Sequence, residues 1–549
     1  MRPFPEVVDR SPDSRANGRS YGLPWPAACG GRAISSILAT SSLKGRRPSV
    51  PDIGDGAAGI GHAAGKSPIE GAYSSPGVTR LRVEVSDSAA VRTNTGAGTL
   101  RPSVMKGTTP CMERKTYAGD VIRPVGILKE DVLMKSIFFH MQGYRDMPRD
   151  FAQRYESVWI TPPSDELCDP ETAGKYFRWN MEELELADEL GFDGLGINEH
   201  HQNAYGFPVS PNLMAAILAR RESNAAIINL GNTLPLYNPP IRVAEEFALL
   251  DCLSGGRLVA GIPVGTPMDT VGCYGLPPTQ VRARYYEAHD LIKQAWTRPG
   301  PFPFNGRFTK LRYVNPWPKP IQKPHPPIWL AGGGSMETWK FATDNNYAYN
   351  FLSFGGPLAA KAMMQGYWDQ VERAGLDDNP YRAGFAQMVV VGETDAEAER
   401  LYLDHLRNFF AISMHTPPHF AGIPGVMTTD SIRNLVKKNV NLTYKQYENP
   451  YETSWKDIVE SRRVIGGSPE TVADVLEESI RDLRVGHLMF ILQIQSMDRE
   501  LTEYNMRLFA ERVMPRIRRI WDDEGHVDHW WPARATTQRK SAGTLEVVA

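Results

Sequence analysis

The stretch Gly191–Pro208, "GFDGLGINEHHQNAYGFP", decides how this chain folds. A short apolar run ends in Glu199, His200 and His201 and then opens into a loop rich in Gly, Pro and Asn. It follows the amphipathic pattern "NMEELELADELG" (180–191), and Gly191 stands where a helix C-terminus favours left-handed backbone. Helix, glycine, strand and functional loop in that order form the repeating unit of a parallel α/β protein.

Seven further apolar runs continue the alternation. One precedes it, "KSIFFHM" (135–141). The others are "AAIINLGN" (225–232), "RLVAGIPV" (257–264), "PIWLAG" (327–332), "YAYNFLSF" (347–354), "AGFAQMVVV" (383–391) and "GHLMFILQ" (486–493). Helical patterns such as 241–256, with Gly255 at its end, and 468–483 lie between them. Eight strands alternating with helices predict a (β/α)8 TIM barrel, with chemistry at the C-terminal strand ends. A doubly wound open sheet is the alternative, disfavoured because no GxGxxG turn follows the first strand.

Strand alternation then sorts the opening stretch. Leu195 and Ile197 share one face and should pack on helices, while Gly196, Asn198 and His200 share the other and should point inward. Glu199 and His201 fall on the helix side as loop anchors or supporting groups, so the adjacent histidines do not act as a pair. Met141 and Gln142 end the first strand at the same mouth, whereas His140 points away. "GGGS" at Gly332, Gly333, Gly334 and Ser335 opens a helix, where free backbone amides can hold an anion such as phosphate and Ser335 stands as N-cap.

Bulk properties bound the function. The chain has 549 residues, net charge −2 and 42% hydrophobic residues, which gives no sign of a nucleic-acid partner. No apolar run reaches the ~20 residues of a membrane span. Five scattered cysteines without CxxC spacing fit a reducing cytoplasm better than a disulfide framework or zinc site. Residues 1–133 are rich in Arg, Ser, Gly and Pro and read as a disordered extension, either an over-extended reading frame before Met134 or a targeting segment. "GIGHAAGKS" (59–67) fails the P-loop pattern, since Ile60 stands where glycine is required. The ordered barrel is expected over 134–520, with 399–464 as an insertion after strand seven acting as a lid, and 521–549 as a flexible tail.

These pieces, from about Met134 to Arg519, resemble the bacterial luciferase-like flavin monooxygenases. The resemblance rests on "LADELGFDGLGINEHH", "NPPIRVAEEFALLDCLSGGRLVAGIPVG", "PPIWLAGGGSMETWKFATDN" and "VIGGSPETVADVLEE". It implies reduced FMN, supplied by a separate flavin reductase, that reacts with O2 to form a C(4a)-hydroperoxide and oxygenate a small, apolar organic substrate. It makes His200 the catalytic histidine. It assigns Met141, Asn198, Asn232, Thr266 and the Gly332–Ser335 turn to the cofactor, with Asn232 at the ring's polar edge and Thr266 helping the backbone amides at the phosphate, because "PVGTP" after strand four carries no Arg. Relatives of this kind are often homodimers. Three other readings stay open: a coenzyme F420-dependent oxidoreductase of the same fold, a metal-dependent barrel hydrolase built on Glu199, His200 and His201, and a non-catalytic flavin-binding protein.

Overall fold

The computed structural model describes residues 133–352, 354–437, 447 and 449–535. The expectations for residues 1–132, including the glycine-rich stretch at 59–67, and for 536–549 lie outside the described residues.

The strands in chain order are β1 (Lys135–His140), β2 (Gly194–Ile197), β3 (Ala226–Asn229), β4 (Leu258–Gly261), β5 (Phe302–Asn305), β6 (Lys310–Val314), β7 (Ile328–Gly332), β8 (Ala348–Phe351), β9 (Ala383–Val391), β10 (Val464–Gly467) and β11 (His487–Ile491). Eight of them close a parallel barrel in the order β1-β2-β3-β4-β7-β8-β9-β11 and back to β1. All eight runs read from the sequence are barrel strands. Two features are additional. β5 and β6 form an antiparallel hairpin, and β10 pairs in parallel with the C-terminal half of β9 outside the closed ring. "FPFN" and "VIGG" are short and broken by Pro or Gly, so pattern alone does not mark them.

The main helices are α1 (Pro170–Glu189), α2 (Pro211–Ala219), α3 (Ile241–Leu253), α4 (Pro278–Thr297), α5 (Met336–Asn345), α6 (Gly356–Arg373), α7 (Asp395–Asn408), α8 (Thr429–Lys437), α9 (Pro469–Leu483) and α10 (Arg499–Leu508). α1 starts ten residues before the apolar pattern that predicts it, because the Asp169 carboxylate caps the Thr172 amide and Pro170 occupies the first turn. Gly191 and Gly255 take positive φ, 84° and 69°.

Alternation separates two layers of core. Phe138, Leu195, Ile197 and Ile227 pack outward with helix residues such as Ala187 and Phe247. Ile137, Phe139, Ile228, Val259 and Met489 fill the barrel interior. His140, on the outward face of β1, meets Glu183 of α1 at 2.6 Å, and Glu183 also accepts from Arg145 at 2.8 Å. All three are buried. Burial is the largest influence on His140 and lowers its pKa despite the carboxylate.

The expected tail beginning at 521 does not hold for 521–535. Trp521 and Trp530 are buried. Trp329 Nε1 donates to the Trp530 carbonyl at 2.9 Å, and His487 Nε2 meets the Asp528 carboxylate at 2.9 Å. Trp531 stacks on His487. Trp329 and His487 open their strands, so the segment closes the N-terminal end of the barrel. The polar residues around these tryptophans conceal them in the sequence, yet each ring carries enough apolar area to dock a chain end.

On α4, His289 lies under Phe341 and against the Tyr347 hydroxyl at 2.9 Å. Burial, then Lys293 and His325, push it down to about 4. The unfolded chain takes up this proton near pH 6.5, whereas the fold refuses it until about pH 4. Stability from this group is therefore intact above pH 6.5 and falls between pH 6.5 and 4. Urea unfolding across that window should give a flatter pH dependence for His289→Gln than for the parent; parallel curves would count against it.

Candidate active site

The C-terminal strand ends surround a cavity of about 740 Å3. Its walls are mostly apolar. Phe139 comes from β1 and Met141 from just after it, Leu230 from just after β3, Leu352 and Phe354 from beyond β8, and Ile491 from β11. Met414–Pro418 and Ala421, Val426 and Met427 cover it from the segment after β9.

His200 stands at this mouth as alternation requires. Its Nδ1 lies 3.0 Å from Asp269 Oδ2. Asp269 in turn receives the Thr266 hydroxyl at 2.9 Å and the His201 amide at 3.0 Å. Burial would raise the Asp269 carboxyl, but His200 beside it and these hydrogen bonds outweigh burial and hold it below its ordinary value. With Nδ1–H given to Asp269, Nε2 becomes the basic nitrogen of the ring. Trp159 meets the His200 ring edge-on with centroids 4.6 Å apart and stacks on Tyr205 at 3.8 Å. An aromatic wall thus stands beside the imidazole.

Glu199 and His201 brace the loop. Glu199 accepts the Thr233 amide at 2.5 Å and the Tyr237 hydroxyl at 2.7 Å. His201 Nδ1 meets the Tyr274 hydroxyl at 3.2 Å. Among the described residues no group of three or more His, Cys, Asp or Glu side chains could hold a metal ion.

The remaining sequence candidates divide. Met141, Asn198, Thr266, Gly332, Gly333 and Ser335 line the cavity. The Asn198 amide donates to the Met141 carbonyl at 3.1 Å, while its Oδ1 is buried in the wall with no hydrogen-bond partner among the described residues. Asn232 does not line the cavity. It bends the chain after β3 with φ 61°, and its amide is locked to Asn212 at 2.7 Å behind the wall. The turn chemistry of an Asn following Gly prevails there over an inward role. Gly334 shapes the turn without lining the cavity: its φ is 97°, and a Cβ there would lie 2.2 Å from the Met363 methyl. The Thr266 hydroxyl is spent on Asp269. Ser335 holds the N-cap position of α5, but its hydroxyl bonds Thr338 at 2.7 Å instead of capping an amide.

Two residues escaped the sequence reading. Asp269 lies in a π-helical turn after β4 that no local pattern announces. Arg282, in the first turns of α4, reaches back to the cavity and donates to Ser335 Oγ at 2.9 Å. It is the only Lys or Arg in the described lining. An Arg soon after the start of the helix that leaves strand four was the available signal, since such a helix begins at the barrel mouth.

A closed parallel barrel with a polar dyad and a glycine turn around one cavity defines a TIM-barrel enzyme. The chain belongs to the luciferase-like monooxygenase family, whose model matches residues 158–487, more than half of its length. It is therefore an oxidoreductase by class.

Among similar proteins, the uncharacterized y4wF of Sinorhizobium fredii is 31% identical over 247 residues, 44% of this chain and 70% of that protein. The oxygenase component of a flavin-dependent trigonelline monooxygenase from Acinetobacter baylyi is 29% identical over 185 residues, 33% of this chain, and the match spans only 50% of that protein. A 4-hydroxyprotoasukamycin monooxygenase from Streptomyces nodosus is 24% identical over 378 residues, 66% of this chain and 93% of that protein. The oxygenating constituent of 3,6-diketocamphane monooxygenase from Pseudomonas putida, solved in complex with FMN, shares the fold with a TM-score of 0.51 at 18% identity, covering 70% of this chain and 99% of that one. Among the described residues no helix is long and apolar enough to cross a membrane.

Proposed function

We propose that the protein is the oxygenase component of a two-component monooxygenase, using reduced FMN from a separate reductase and O2 to oxygenate a small organic substrate. The observation that carries this is a cavity with Arg282 at a glycine turn in one wall and the His200–Asp269 dyad beside an aromatic wall. A flavin mononucleotide has one anionic phosphate and one flat heteroaromatic ring. Arg282 and the amides of Gly332–Ser335 suit the first. The orphaned Asn198 Oδ1 suits an N–H donor such as the isoalloxazine carries. When bound, reduced FMN supplies the activation of oxygen.

The chain's own residues do the rest. His200 Nε2 takes or returns a proton in the cavity, held in the required tautomer by Asp269. Trp159 and Tyr205 pack edge-on against the His200 ring and limit the water around it. Within the segment 399–464, Met414–Pro418, Ala421, Val426 and Met427 line the cavity, and this described part serves as the lid.

Coenzyme F420 carries a longer acidic tail, for which one arginine is a thin counter-charge. Titration of the purified protein with oxidised and photoreduced FMN, followed by flavin fluorescence and absorbance, should show one site. Arg282→Met should weaken FMN about tenfold more than it weakens phosphate-free riboflavin. No binding of either FMN form would overturn the proposal, and tighter binding of F420 would replace it. Product formation on mixing with O2, a reductase and candidate substrates then tests the oxygenase step.

A further inference from the structure

Helices α5 and α8 point their N-termini at one carboxylate. Glu337 lies in the first turn of α5. The hydroxyls of Thr428 and Ser431, from the start of α8, both donate to it, Ser431 at 2.6 Å. Ser431 Oγ also accepts the Met336 amide of α5 at 3.0 Å, and Thr428 Oγ1 accepts the Ser431 amide at 3.3 Å. The start of α5 is thus capped by Ser431 of α8, the start of α8 by its own Thr428, and both hydroxyls donate to the Glu337 carboxylate between the two helix ends.

Arg282 binds the same junction from the cavity side. Its Nη2 lies 3.8 Å from Glu337 and donates to Ser335, while its Nε donates to the Val426 carbonyl at 2.9 Å. Val426 and Met427, just before α8, line the cavity. Ser431 is 1% exposed, whereas Thr428 is exposed and Glu337 is half-buried, so the Ser431 side of the junction is the one shielded from water. Burial would raise the Glu337 carboxyl, but the two hydroxyls and Arg282 hold it below its ordinary value. It therefore stays ionised where two helix ends need a negative charge.

We propose that Glu337 is a positioning residue for the cofactor: with Arg282 it clasps the segment that follows β9 onto the glycine-turn end of the cavity, and a ligand held there leaves only when the clasp opens. The proposal rests on the FMN reading for the identity of the ligand, and on the hydrogen bonds of Glu337 and Arg282 for the clasp. Arg282 serves both parts, as counter-charge to a phosphate and as the bond to Val426. Glu337 touches only the clasp. The two residues should therefore differ in which ligand property they sense.

The test is stopped-flow dissociation of oxidised FMN and of riboflavin, with hydrogen exchange of the Val426–Ile432 amides in the flavin-free protein. Glu337→Ala should raise the off-rates of both flavins about tenfold or more, as expected for losing hydrogen bonds to a charged group, with on-rates little changed. Ser431→Ala should do much the same, and the double variant should be no worse than Glu337→Ala alone. Glu337→Gln, which keeps the shape and one acceptor oxygen, should recover part of the loss. Arg282→Met should weaken FMN more than riboflavin.

Off-rates within twofold of the parent would overturn the clasp. So would a lowered Tm with unchanged off-rates, which would make Glu337 a plain helix cap. In the flavin-free protein, exchange at Val426–Ile432 should rise in Glu337→Ala, and unchanged exchange overturns the clasp whatever the ligand. If the parent binds no FMN, the FMN reading falls, and the clasp stands or falls on hydrogen exchange alone.

Discussion

Glu183→Ala is expected to cost about 3–5 kcal/mol of folding stability, read as a lowered urea midpoint. Glu183 is a buried carboxylate that meets two buried basic side chains. His140 meets it at 2.6 Å, and Arg145 donates to both of its oxygens at 2.8 and 3.0 Å. Removing the carboxylate strands an arginine in an apolar layer between β1 and α1. Arg145 would keep hydrogen bonds to the Asn180 side chain at 2.8 Å and the Met497 carbonyl at 3.0 Å and its place beside the Tyr176 and Trp179 rings, with no counter-charge. The triple change Glu183→Leu, His140→Leu and Arg145→Met removes charge and counter-charge together. It should recover most of the loss, because well-packed apolar groups avoid the cost of desolvating ions. A Glu183→Ala protein within 1 kcal/mol of the parent would mean that the cluster is solvated in the native state.

His200→Ala is expected to lower oxygenated product by 10²–10⁴-fold while leaving the FMN dissociation constant within about threefold. In this reading the imidazole moves a proton, while Arg282 and the glycine turn hold the phosphate. Asp269→Asn should fall between, because an amide offers the ring the wrong partner and frees the competing tautomer. It should also shift the pH dependence of product formation, which a purely structural role would leave in place. If His200→Ala lost FMN binding in proportion to product, the residue would be a ligand anchor and not an acid–base group. Rapid mixing with O2 and separate FMN titration give the two readouts independently.

The barrel was legible from the sequence because its signal is repeated eight times. Period-two and period-3.6 patterns depend only on which face a residue presents, so they survive without tertiary information. That logic placed Leu195 and Ile197 against helices and His200 at the mouth, and turned His140 outward. It failed where one residue can satisfy two local rules. Asn232 obeys the turn rule and turns its amide to Asn212, although a strand end beside a cavity allowed either outcome. It failed again at Trp530 and Trp531, whose docking partners Trp329, Asn346 and His487 lie 44 or more residues away in the chain.

By itself, then, "GFDGLGINEHHQNAYGFP" determined the unit of the fold and the single inward histidine, since strand geometry is local. The tertiary structure alone decided what that histidine works with. Asp269 comes from a turn 69 residues on, and Arg282 and Glu337 meet the glycine turn from two different helices. Hydrogen bonds between distant elements leave no periodic trace in a chain, because only closure of the barrel brings its strand ends to one place.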